Sequence, residues 1–128
     1  MNLLLDTHTL LWWHTSDPSL SKTARAALID PDNTVYLSAA SVWEIQIKTQ
    51  LGKLPLPLTV PELIQEETLN NGFIPLPVSF DHVYALSTLA DHHKDPFDRL
   101  LIAQARHEGL TLVSDDGQVQ KYSVPILW

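Results

Sequence analysis

The sequence has 128 residues, a net charge of −7 from eight lysines and arginines against fifteen aspartates and glutamates, and 45% hydrophobic residues, which fits one ordinary globular domain spanning residues 1–128. The absence of cysteine excludes a disulfide scaffold, a thiol nucleophile, an iron–sulfur cluster and a Cys-based zinc site. The N-terminal MNLLLDTHTLLWWH has no basic leader and Asp6 interrupts its apolar run, so no secretory peptide or membrane span is expected and a soluble cytoplasmic protein is.

Leu3-Leu4-Leu5 predicts a short buried strand that stops at Asp6, and Thr7 to His14 predicts a helix broken by Asp17-Pro18. Ser19 or Ser21 caps a second helix to about Ile29, ahead of the turn Asp30-Pro31-Asp32-Asn33. Val35-Tyr36-Leu37 is a second strand. Ser41-Val42-Trp43-Glu44 has the form of a capping box and opens a helix to Leu51, closed by Gly52. After the prolines at 55, 57 and 61, a helix runs from Val60 to Asn70, and Phe73 to Leu76 reads as an edge strand because it contains proline. Helices over about Phe80–Ala90 and Pro96–His107 follow, then strands at Leu110–Val113 and Val124–Leu127. Short apolar strands alternating with helices predict an α/β, three-layer domain whose central, mainly parallel sheet has four to five strands.

In such sheets ligands bind beyond the carboxyl ends of the strands. Asp6 directly follows the first strand, and Ser114-Asp115-Asp116 directly follows the Leu110–Val113 strand. Glu44 lies early in the helix after the second strand, while Asp95 and Asp98 share one face at the start of the helix beginning near Pro96. Each acid also has an ordinary structural role open to it: Asp95 and Asp98 as helix-start residues, Glu44 in a capping box, Asp115-Asp116-Gly117 as a turn. Asp6 is the hardest to explain that way, because a charge beside a buried strand is costly unless paired or bound. Carboxylates converging on one rim repel one another and call for a cation; with only oxygen donors, Mg²⁺ or Mn²⁺ fits best. The eight basic residues are scattered, so a nucleic-acid substrate would need bound metal to offset its phosphates.

Other chemistries fit less well. A zinc hydrolase using His92 and His93 lacks a second histidine pair at helical spacing, and these residues read better as a solvated loop. A phospho-receiver domain would carry its acid pair after the first strand, whereas Asp115-Asp116 comes late.

The segments LLLDTH, SVWEI, DPFDRLLIAQA and LVSDD, with the closing YSVPILW, resemble the PIN-domain ribonucleases and, within them, the VapC toxins of prokaryotic type II toxin–antitoxin modules. The resemblance covers essentially the whole chain. It implies a Mg²⁺- or Mn²⁺-dependent endoribonuclease that cuts structured RNA such as tRNA or rRNA, leaving 5′-phosphate and 3′-hydroxyl ends. It also implies a homodimer that assembles with a cognate antitoxin. Position by position, the family's acid quartet falls on Asp6, Glu44, Asp98 and Asp116, with Asp115 competing for the last place. Asp6, Asp98 and Asp116 would be the principal metal ligands, and Glu44 a ligand or the group that orients water. Asp95 is an additional acid of the DPFDR motif, and Ser114 stands where threonine is common. The alternative is a catalytically inactive PIN-like binding module. Four consecutive apolar residues, Leu10 to Trp13, wrap all round a helix, so Trp12 or Trp13 is expected to line a groove for the antitoxin or a second protomer, and Trp43 to be core.

Overall fold

The computed structural model describes all 128 residues. In chain order the elements are β1 (Asn2–Leu5), α1 (Thr7–His14), α2 (Lys22–Ile29), β2 (Thr34–Ser38), α3 (Ala39–Gln50), α4 (Val60–Asn71), β3 (Ile74–Leu76), α5 (Phe80–Ala85), α6 (Pro96–Glu108), β4 (Thr111–Val113) and β5 (Ile126–Leu127). The strands form one parallel sheet in the order β3-β2-β1-β4-β5. Leu3 pairs with Val35 on one side and with Thr111 on the other. The chain therefore builds outward from β1 to β3, then returns to add β4 and β5 on the opposite side of β1. The junction of β1 and β4 is the point where strand order reverses, the usual crevice for ligands in such sheets.

Strand side chains alternate between faces, and the core divides accordingly. Leu3, Leu5, Val35, Leu37 and Val113 pack with Leu10, Ala24, Leu28, Ile45 and Leu63 from α1 to α4. Leu4 and Leu112 face the other way, against Leu101, Ile102 and Ala105 of α6 and against Tyr122. Burial on both faces explains why β1 is an uninterrupted leucine run.

Several boundaries differ from the sequence reading. Helix α3 starts three residues early, because Ser38, not Ser41, is its cap: the Ser38 side chain accepts from the Ala40 amide. No Ser41–Glu44 capping box forms. Helix α5 ends at Ala85 and tightens into a 3₁₀ turn over Leu86–Thr88, where the Ser87 and Thr88 hydroxyls take the carbonyls of Tyr84 and Ala85. Strand β5 pairs over only two residues. Trp43 is 60% exposed rather than core. Helix α3 turns Ala40, Ser41, Glu44 and Ile45 inward, which points Trp43 out to solvent, edge-on to Phe97 with ring centroids 5.0 Å apart. No helix is long and apolar enough to cross a membrane.

Candidate metal centre

Asp6 leaves the end of β1 in extended conformation and caps α1, its Oδ1 accepting from the Thr9 amide at 2.8 Å. Its own amide donates to the carbonyl of Val113, the last residue of β4, and the Thr9 hydroxyl donates to the same carbonyl. These bonds fasten the carboxyl ends of the two central strands together. Asp6 is only 6% exposed. Burial pushes its carboxyl above the ordinary range, against hydrogen bonding from Ser114 and Thr9.

Glu44 is also buried. One carboxylate oxygen accepts from the Thr7 hydroxyl at 2.7 Å and the other from the Lys48 ammonium at 2.7 Å. The carboxylate is thus fixed by a neighbour from α1 and by a cation one turn along its own helix. Ser41, expected as a cap, instead lies 3.1 Å from the Thr7 hydroxyl.

At the other helix, the two roles left open for Asp95 and Asp98 separate. Asp95 is the cap: its Oδ1 accepts from the amides of Phe97 and Asp98, and Pro96 occupies the first turn, where its missing N–H costs nothing. Asp98 is free of that duty and turns its side chain into the crevice. Burial foremost, then the charge of Asp95, raises its carboxyl to about 7, with Glu44 and Asp6 adding to the rise and His93 opposing it. Asp98 therefore feels three other acids at once.

After β4, Ser114 is fully buried and its hydroxyl accepts from the Asp116 amide. Asp116 closes a turn by accepting from the Gln118 amide at 2.8 Å and presents its other oxygen to the crevice. Burial works against its ionisation, but the Gln118 amide and His93 outweigh it and hold Asp116 below the ordinary value. Asp115 is exposed, and its side chain makes no hydrogen bond or ion pair.

His93, read from the sequence with His92 as part of a solvated loop, is the residue that reading misplaced. The 91–95 segment is solvated at Asp91, His92 and Lys94, but His93 is half-buried. Its Nε2 lies 2.9 Å from Asp98 Oδ2 and 3.0 Å from Asp116 Oδ2. His93, Asp98 and Asp116 bring their donor atoms within 4.8 Å of one another; Asp6 and Glu44 are not part of that cluster, though their charges reach Asp98. A loop histidine has no periodicity to betray it; its only trace in the sequence is its place two residues before the Asp95 cap.

The donor set fits a hard divalent cation. It offers carboxylate oxygens, and Asp98, raised first by burial and then by the charges of Asp95, Glu44 and Asp6, is a group whose ionised form such a cation would favour. Asp98 and Asp116 are the carboxylates that would hold it, and the charges of Asp6 and Glu44 reach Asp98 from nearby.

Trp12 and Trp13 lie elsewhere, both half-buried. Trp12 packs against His8 and Trp128, and Trp13 packs against Phe73 while its indole N–H donates to the buried Glu67 at 2.8 Å.

A protein with this fold and this site has known relatives. Ribonuclease VapC16 of Mycobacterium tuberculosis is 41% identical over 58 residues, which are 45% of this chain and 41% of that protein. The match thus spans about two-fifths of the relative's length. Among solved structures, VapBC2 from Rickettsia felis, bound to a DNA fragment from its promoter, superposes with a TM-score of 0.74 at 16% identity, covering 98% of this chain and 97% of that one. VapC20 of Mycobacterium tuberculosis, a sarcin–ricin loop cleaving toxin, superposes with a TM-score of 0.66 at 15% identity over 95% of each chain. The PIN domain family model matches residues 3–125, nearly the whole of the sheet and every acid of the crevice, and the chain belongs to the PIN domain family.

Proposed function

We propose that the protein is a VapC-type endoribonuclease, the toxin of a toxin–antitoxin pair, that hydrolyses phosphodiester bonds of structured RNA with Mg²⁺ or Mn²⁺. The observation that carries this reading is the convergence of Asp98 and Asp116 at the β1–β4 crevice, where burial and the charges of Asp95, Glu44 and Asp6 raise Asp98 to about 7. Asp98 and Asp116 would hold a divalent cation there, which would supply neutralisation of the phosphate charge and Lewis-acid activation for hydrolysis. The protein's own groups do the holding. Thr7 and Lys48 keep the Glu44 carboxylate in one orientation, Thr9 does the same for Asp6, and the Gln118 amide fixes Asp116. No side-chain nucleophile is needed.

The ribonuclease VapC16 and the loop-cleaving VapC20 support RNA as the substrate class, tRNA or rRNA being the expected targets. A toxin requires a neutralising antitoxin, and a homodimer and a cytoplasmic location belong to the same reading. The acidic rim favours an antitoxin that brings an Arg or Lys to Asp6, Glu44 or Asp98, and Trp12 or Trp13 is proposed to line its groove or that of the second protomer. An inactive binding module would have no use for four acids brought together at a cost in repulsion. Incubation of the purified protein with total RNA tests the proposal: discrete cleavage in Mn²⁺, abolished by EDTA, with 5′-phosphate and 3′-hydroxyl ends, is expected. Intact RNA in Mn²⁺ and Mg²⁺ alike would overturn it.

A further inference from the structure

His93 meets the distance requirements of a metal ligand, with Nε2 beside Asp98 and Asp116. The other ring nitrogen decides otherwise. His93 Nδ1 accepts a hydrogen bond from the Asp95 backbone amide at 3.1 Å, so Nδ1 carries a lone pair and no hydrogen. The ring's hydrogen must then reside on Nε2, where it donates to Asp116 Oδ2 at 3.0 Å with Asp98 Oδ2 2.9 Å from the same nitrogen. Ligation through Nε2 would demand the opposite tautomer, with Nδ1–H directed at the Asp95 N–H. The partner of one ring nitrogen sets the role of the other.

The ring is also held from behind. The Tyr122 hydroxyl accepts from the amides of His92 and His93 and donates to the Ala90 carbonyl, and Arg99 donates to that same carbonyl at 3.0 Å. Tyr122 is buried. These bonds fix the backbone that leads into His93, and the imidazole is consequently a donor aimed at two carboxylates from different elements, α6 and the turn after β4.

We propose that His93 is a positioning residue: its Nε2–H clamps Asp98 and Asp116 side by side, pre-forms the cation site, and stays outside the cation's coordination sphere. The inference rests on the divalent-ion reading of the crevice given above. It assigns His93 a role in the geometry of the ligands and not in the chemistry of the phosphate.

Two readouts test it, neither of them RNA cleavage. In ¹⁵N-histidine-labelled protein, long-range ¹H–¹⁵N correlations should show His93 protonated at Nε2, both metal-free and at saturating Mg²⁺. A switch to Nδ1–H on adding Mg²⁺, or Nδ1–H from the start, would overturn the clamp in favour of a ligand. In parallel, titration with Mn²⁺ should show His93→Ala binding about 10- to 100-fold more weakly than wild type, the range typical for loss of a group that orients ligands. His93→Gln, whose amide N–H₂ stands near the position of Nε2 and donates, should recover most of that loss. Unchanged or tighter binding by His93→Ala, or His93→Gln as weak as His93→Ala, would contradict it. Wild-type protein that binds no Mn²⁺ would overturn both this inference and the nuclease. A protein that shows the full pattern yet cuts no RNA would refute the nuclease alone.

Discussion

Asp98 is held by burial and by neighbouring acids well above the ordinary carboxylate range, and that makes its protonation a measurable property. Its carboxyl is raised from the ordinary 3.8 to about 7 in the folded chain by burial and by Asp95, Glu44 and Asp6. Between those two values the folded state binds more protons at this group than the unfolded state, so stability contributed by Asp98 falls as pH rises through that window. Asp6, also raised, acts in the same direction. Asp116 is lowered and acts oppositely, its contribution being lost only as pH falls below the ordinary aspartate range. Metal-free protein should therefore melt at lower temperature at pH 8 than at pH 5, and Asp98→Asn should flatten that slope. A steeper slope in Asp98→Asn would contradict the assignment of causes. For the neighbouring pair, Asp116→Asn should abolish Mn²⁺-dependent RNA cleavage, whereas the exposed Asp115→Asn should leave it within about twofold, as for a surface change touching nothing. Equal losses from the two would remove the basis for choosing Asp116. The positions of Asp6 and Asp98 were legible in the sequence because each follows or opens a recognisable element. His93 was not, because its importance comes from two hydrogen bonds across a loop that no pattern encodes.

The helices and strands were legible wherever their ends carry their own chemistry. Helix α4 has a Thr59–Glu62 capping box and Gly72 in left-handed conformation at φ 67°, and α6 has Asp95, Pro96 and Gly109. Both fall within a residue of expectation. Helix α3 is the counter-example: two serines three residues apart both suit a cap, and only the extended backbone at Ser38, set by β2, decides between them. Trp43 was misplaced for a related reason: the face α3 buries carries Ala40, Ser41 and Ile45 together with Glu44, which reaches Thr7 of α1, and Trp43 lies off that face. The segment between α5 and α6 makes the corresponding prediction at this scale. Removing the Tyr122 hydroxyl leaves the His92 and His93 amides without their partner, while Arg99 still donates to the Ala90 carbonyl, at a cost of about 1–3 kcal/mol. Tyr122→Phe should lose that much in a denaturant titration and should also weaken Mn²⁺ binding, through loosening of His93. Unaltered Mn²⁺ affinity in a destabilised Tyr122→Phe would show that the segment does not position the site.

For the whole molecule, composition and alternation indicated a parallel α/β sheet, but not its strand order. That order depends on where each crossover lands, and it is what makes β1 and β4 neighbours and so brings Asp6 beside Ser114. A chain of net charge −7 that concentrates acids at the crevice between its central strands has little affinity for a polyanion until a cation intervenes. Metal binding and RNA cleavage should therefore stand or fall together. The most direct test is RNA cleavage in Mn²⁺ by Asp98→Asn beside wild type, with melting curves of both in the presence and absence of the ion. Asp95 retains the helix cap, so the variant should fold normally and melt, without metal, at or above the wild-type temperature. It should gain little from Mn²⁺ and leave RNA intact, while wild type is stabilised by Mn²⁺ and cleaves. Wild-type rates of cleavage by Asp98→Asn would contradict the account.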